Sequence, residues 1–158
     1  MKLENIYISA QSNYWSHPKG EPGSAATLTP SSVDCVAGSG LVGDRFFNFK
    51  ENYKGQVTLI SKDNLDRLQE FLKLEFDPQV LRRNLLVSGI DPLSLIGKQF
   101  QVGEMLFEGK VDCTPCFWMD LVIGEGAYQW LQEHNAGGLR AAVINSGTIQ
   151  CGDLLKIN

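Results

Sequence analysis

At 158 residues and 17.5 kDa the chain fits one domain, and a domain of this length buries about two-thirds of the surface its unfolded chain exposes. Its 14 Lys plus Arg against 18 Asp plus Glu give a net charge of −4 and a pI of about 5.1, the reverse of the basic footprint that a phosphate backbone requires, so no nucleic-acid partner is expected. Apolar residues at 43% and charged residues at 20% describe an ordinary globular chain with no membrane partner: no apolar run has the length of a membrane span, and Met1-Lys2-Leu3-Glu4-Asn5 lacks a signal-peptide core, so a cytoplasmic location with four reduced thiols is expected.

Leu3 to Ala10 alternates loosely, with Ile6 and Ile8 on one side, and reads as an opening strand. Gln11 to Pro30 carries Pro18, Pro22 and Pro30 with Gly20 and Gly23, a composition that opposes regular structure and reads as a long functional or mobile loop. His17 lies in it without a second metal-type residue nearby, which makes a solvated loop histidine the plainer reading. Ser31 to Ala37 reads as a second strand, and Gly40-Leu41-Val42-Gly43-Asp44-Arg45-Phe46 follows. Its glycines allow backbone to approach a ligand, and Arg45 offers a fork suited to phosphate or carboxylate; a turn with a solvated Asp-Arg pair is an equally open reading.

Gln56 to Ile60 is a strand by its β-branched content, and Ser61 is placed to cap the next helix, whose Leu65, Leu68 and Leu72 share an inward face. After a turn at Asp77-Pro78, Leu81 to Val87 reads as a strand opened by Arg82 and Arg83, one of which would face a phosphate while the other faces solvent. Leu93 to Ile96 reads as a helical turn. Lys98 to Val102 and Met105 to Val111 form a hairpin around Gly103-Glu104 that delivers the chain to Cys113-Thr114-Pro115-Cys116. Proline fixes its own φ and drives the residue before it out of helical space, so the backbone gives Cys116 a defined direction, with Phe117, Trp118 and Met119 as apolar anchors behind it. A lone Cys-x-x-Cys is also compatible with inert core thiols.

Ala127, Trp130, Leu131 and His134 share a helix face, with His134 in the last turn, where capping is its plainer role. Gly137-Gly138-Leu139-Arg140 can offer N–H groups and a guanidinium to an anion. Arg140 to Ile144, Thr148 to Gln150 and Leu154 to Ile157 close the chain as short strands. Two helices among about eight strands, without βαβ alternation, predict a mainly β fold with accessory helices, a single domain over residues 1–158, closed or nearly closed into a barrel.

The order of these pieces resembles the MOSC domain family, named for the C-terminal part of molybdenum cofactor sulfurases, and most of all its short stand-alone members. The resemblance rests on Gly40 to Phe46, Gln56 to Ile60, Arg82 to Leu85, Asp91 to Gly97, Cys113 to Cys116, Gly137 to Arg140, and Gly147-Thr148-Ile149 with Gly152-Asp153. It implies a β-barrel fold and a molybdopterin cofactor whose metal, or a transferred sulfur, is carried by a cysteine, at the position of Cys116. Arg45, Arg82, Arg83 and Arg140 are then the candidates to hold the cofactor's phosphate and pterin, with Gly138 and Cys113 beside them. Many family members carry His after Gly-Asp-Arg, where this chain has Phe46. No pyridoxal phosphate site is expected, since the chain has no room for the desulfurase part of a full sulfurase.

Two functions follow from the resemblance. One is an oxidoreductase that reduces small N-oxygenated substrates such as a hydroxylamine at a Cys116-ligated molybdenum, with electrons from a separate donor protein, since the chain has no ferredoxin-type cysteine set. The other is a carrier, holding persulfide or cofactor on Cys116 without turnover and served by a sulfur-donor protein. A thiol–disulfide pair of Cys113 and Cys116 lacks the usual strand–helix context, and structural zinc would need Cys35 and Cys151 to converge on that pair.

Overall fold

A computed structural model describes residues 1–12 and 24–157; His17 and most of the proline-rich segment lie outside them. The strands, in chain order, are β1 (Lys2–Ile6), β2 (Ser32–Val36), β3 (Gly40–Leu41), β4 (Val57–Ser61), β5 (Leu85–Ser88), β6 (Gln99–Val102), β7 (Met105–Asp112), β8 (Leu139–Val143), β9 (Gly147–Gln150) and β10 (Leu155–Ile157). Among the described residues three α-helices join them, α1 (Lys62–Leu72), α2 (Trp118–Val122) and α3 (Ala127–Glu133), one more than the sequence suggested. The opening strand is shorter than expected, ending at Ile6, with Ile8 joined only by an isolated bridge to Leu28.

Seven strands form one sheet in the order β1-β5-β4-β8-β7-β6-β10, and β3-β2-β9 form a second. The ends of the large sheet meet where Leu3 N donates to Asp153 O at 2.9 Å and Gly152 N donates to Leu3 O at 2.7 Å. The sheet is thereby nearly closed into a barrel, and an edge that would invite other strands is covered. β4 runs parallel to β5, so one βαβ crossover through α1 exists where no such alternation was read.

Alternation along β4 and β5 explains why both strands are buried along nearly their whole length. Val57, Leu59, Leu85 and Val87 face the barrel interior, packed with Phe100 and Phe107, whereas Ile60 and Leu86 face the helical layer of Leu65, Leu68, Trp118, Met119, Trp130 and Leu131. Strands covered on both faces are apolar on both, and the exceptions in β4, Thr58 and Ser61, are buried with hydrogen-bond partners. Ser61 caps α1 as its sequence position indicated, its Oγ accepting from Asn64 N at 3.3 Å. His134 closes α3, its ring stacked on Trp130 at 4.0 Å and its Nδ1 2.9 Å from Trp130 O.

Candidate functional site

The site is built on turns that flank β4, β5, β7 and β8. Asp77 opens the Pro78–Leu81 turn of 3₁₀ helix by accepting from Gln79 N at 3.0 Å, and the turn ends on Arg82 at φ 57°. Arginine in this left-handed region is uncommon, and it removes the strand alternation on which opposite-facing arginines were expected. Arg82 and Arg83 precede β5 instead of opening it, and both line one cavity.

Asp44 and Asn84 lock that arrangement from below. Asp44 is buried and accepts from Ser9 N, Phe46 N and Asn84 Nδ2, each at 3.1 Å. Asn84 also donates to Tyr7 O at 3.1 Å, while its Oδ1 accepts from Thr58 N at 3.0 Å and Thr58 Oγ1 at 2.9 Å. All the capacity of this buried amide is used, as a buried polar group demands. Asp44 in turn sets Arg45, whose Nη1 lies 3.5 Å from Asp44 Oδ1 and whose Nη2 donates to Arg82 O at 3.2 Å. Burial lowers the Arg45 pKa from its ordinary value, with Asp44 acting in the opposite sense.

Arg83 is a strut. Only 7% exposed, it donates from Nε to Gly137 O at 2.9 Å, from Nη1 to Leu81 O at 3.0 Å and from Nη2 to Cys113 O at 3.3 Å. Three segments distant in sequence are thus tied to one side chain. Gly137 and Gly138 fit beside it because a Cβ at Gly137 would collide with Cys113 O and one at Gly138, whose φ is 107°, would collide with Leu59 O. Gly138 therefore serves close backbone approach, and its carbonyl accepts from Cys113 N at 2.8 Å.

Arg140, on β8, shares a cavity wall with Cys113. Burial works against the Arg140 charge, and the neighbouring Cys113, Tyr53 and Asp112 side chains together outweigh it, so its pKa is raised from the ordinary value. A cavity of about 80 Å³ is walled by Arg45, Arg82, Arg83, Arg140, Cys113 and Tyr53, with no carboxylate among the described residues that line it. A second cavity of about 290 Å³ adjoins it through Cys113, which lines both, and is bounded by Asp112 to Pro115, Asn135 and Gly137-Gly138. All four predicted arginines, with Gly138 and Cys113, are therefore assembled around neighbouring cavities.

Cys116 takes a different position. It is half-buried and packs against the helical layer, its carbonyl accepting from Met119 N at 2.9 Å, and neither cavity includes it in its wall. No disulfide joins any of the four cysteines; Cys35 is buried in β2 and Cys151 is exposed at the turn before β10. Among the described residues no group of three His, Cys, Asp or Glu is placed to hold a metal ion, and none of the described helices is long and apolar enough to cross a membrane.

Sequence reading gave no site role to Tyr53, Phe46 or Asn84. Phe46 lies under Arg45, with the guanidinium carbon 4.7 Å from the ring centroid, and its ring meets Tyr53 at 5.4 Å. The aromatic spacing in Phe46-Phe47-Asn48-Phe49-Lys50-Glu51-Asn52-Tyr53 was the available signal.

The MOSC domain family model matches residues 42–156, which contain the four arginines and both loop cysteines. The chain belongs to the MOSC domain family. That family is associated with molybdenum cofactor binding. No curated protein sequence matches this MOSC domain. Among solved structures it is similar to the YuaD protein from Bacillus subtilis, at 17% identity and TM-score 0.74 over 99% of this chain and 94% of that one. It is also similar to YiiM from Geobacillus stearothermophilus, at 13% identity and TM-score 0.71 over 99% of this chain and 74% of that one. YiiM from Escherichia coli aligns at 16% identity and TM-score 0.66, over 100% of this chain and 70% of its own. At these identities the likeness is one of fold.

Proposed function

We propose that this MOSC domain binds a molybdopterin-type molybdenum cofactor at the arginine cavity and reduces small N-oxygenated compounds there, with electrons from a separate donor protein. The observation that supports this most is the convergence of four guanidiniums and one thiol on a cavity with no carboxylate among its described walls. Guanidinium forks suit phosphate oxygens, and thiolate sulfur suits a metal that dithiolene sulfurs already hold. The donor set therefore fits the group. The 80 Å³ cavity has the volume of about two or three waters, enough for a phosphate group, and the 290 Å³ cavity that shares Cys113 offers volume for a larger ring system.

In this reading Arg45 and Arg140 bind the phosphate, Arg82 adds positive charge, and Arg83 holds the walls in register through its three carbonyl partners. Gly138 lets the backbone close on the same space; Cys113 is the thiol of the cavity wall, and Cys116, outside that wall but matched by position to the family cysteine, is the metal ligand of this proposal. A molybdenum cofactor held by these residues would supply the chemistry for taking oxygen from nitrogen. The test is hydroxylamine reduction by protein purified from a cofactor-producing host, with a reduced viologen as donor. Wild type is expected to turn over, and Cys116→Ala to retain pterin but lose turnover. Full activity in Cys116→Ala removes the ligand assignment, and a wild type without turnover or cofactor removes the proposal.

A further inference from the structure

Tyr53 reaches the arginine cavity from the loop between β3 and β4. Asn48 and Asn52 in that loop stand at φ 53° and 54°, a left-handed conformation that asparagine tolerates better than most residues. The loop brings three rings together, with the Tyr53 centroid 5.0 Å from Phe49 and 5.4 Å from Phe46, and Lys50 Nζ lies 5.4 Å from the Tyr53 ring. Gly55 is buried, and its φ lies outside the left-handed region, so the backbone there does not demand glycine. The phenol does: a Cβ at Gly55 would stand 3.1 Å from the Tyr53 hydroxyl oxygen and 3.1 Å from the ring carbon that bears it, inside the roughly 3.5–4 Å of an ordinary contact.

A phenylalanine would serve the ring cluster equally well, so the hydroxyl calls for its own explanation. Tyr53 shares the cavity wall with Arg45 and Arg140 and is an electrostatic neighbour of both guanidiniums. Among the described residues no hydrogen bond takes up its hydroxyl. Thr58, the other hydroxyl of that wall, is already committed, donating to Asn84 Oδ1 at 2.9 Å. We infer that Tyr53 is a binding residue of the arginine cavity, its hydroxyl donating to an oxygen of a bound phosphate group, and that Gly55 is the positioning residue that leaves room for the phenol. An O–H donor to an anionic oxygen makes a short, strong hydrogen bond, and it does so without adding a fifth positive charge to walls that already carry four guanidiniums. The inference rests on the reading above in one respect, that this cavity takes a phosphate group.

Cofactor-free protein, made in a host that cannot synthesise molybdopterin, is titrated with inorganic phosphate and followed by two-dimensional NMR, which also shows that each variant is folded. Tyr53→Phe keeps the ring and loses only the hydroxyl, and should bind phosphate about tenfold more weakly than wild type, the loss of one hydrogen bond to a charged group. Gly55→Ala should weaken binding about threefold by displacing the phenol, and that loss should vanish in a Tyr53→Ala background, where no phenol is left to displace. Tyr53→Phe binding like wild type, or a Gly55→Ala loss of equal size in both backgrounds, overturns the inference; if Gly55→Ala does not fold, Tyr53→Phe decides alone. Phosphate bound equally by wild type and Tyr53→Phe leaves the cofactor reading standing without this inference. Tyr53-dependent phosphate binding in a protein that carries no molybdenum or pterin from a competent host leaves this inference standing without the cofactor reading, and a folded wild type that binds no phosphate overturns the inference together with the phosphate assignment.

Discussion

Replacing Arg83 by Met tests whether that side chain holds the site walls together. Methionine keeps an unbranched apolar stem, so packing volume changes little, but the carbonyls of Leu81, Cys113 and Gly137 lose their donor together. A buried acceptor left unmade costs about 1–3 kcal/mol, and relief of the buried guanidinium's desolvation offsets part of three such losses, leaving a net cost of about 3 kcal/mol. For a chain of this length the melting temperature should fall by about 6–12 °C. Arg83→Lys retains the charge without the fork that reaches three carbonyls and should fall in between. Thermal unfolding followed by circular dichroism, with cofactor-free protein, gives the comparison. A Met variant melting within about 2 °C of wild type refutes the strut, as does a Lys variant indistinguishable from wild type.

Asn84→Ala strands Tyr7 O, Thr58 and Asp44 in a buried network, at about 3 kcal/mol, and urea unfolding with an unchanged midpoint would contradict that. Gly138→Ala forces a side chain into a left-handed conformation against Leu59 O and should destabilise by about 2–3 kcal/mol, so wild-type stability in that variant counts against the close approach. Burial, aided by Asp34, pushes the Cys35 thiol up to about 12. The folded state therefore keeps a proton that the unfolded chain releases near pH ~8.5, and stability, complete below that, declines by about 1.4 kcal/mol per pH unit between the two values. Cys35→Ala should accordingly lose less stability than wild type between neutral pH and about pH 10; equal losses by urea titration would show that Cys35 does not contribute.

Much of the frame was legible because local chemistry and fold agree. The β-branched run before Ser61, the capping serine, the leucine stripe of α1 and the Gly103-Glu104 hairpin each obey one local rule, and each appears within a residue or two of its expected place. The β4–β5 parallel pair was missed although part of its signal was present: the consecutive apolar pairs Leu59-Ile60 and Leu85-Leu86 place apolar residues on both faces of each strand. Helix α2 was read only as an apolar anchor, because five residues after a proline segment and without a side-chain cap carry little periodicity. The arginines were misread in their directions for a sharper reason. Nothing in Leu81-Arg82-Arg83 announces a left-handed residue, yet φ 57° at Arg82 places both side chains on one cavity. Pro115 likewise breaks any regular period between Cys113 and Cys116, so sequence spacing carried no information on which sulfur meets the arginines.

Cofactor binding at the arginine cavity is tested most directly by the molybdenum and pterin content of protein purified from a cofactor-producing host. Wild type should carry both in near-equal amounts, and an Arg45→Ala, Arg140→Ala double variant that remains folded should lose both together. Folded wild type devoid of molybdenum and pterin, or a double variant that retains them in full, would contradict the central claim.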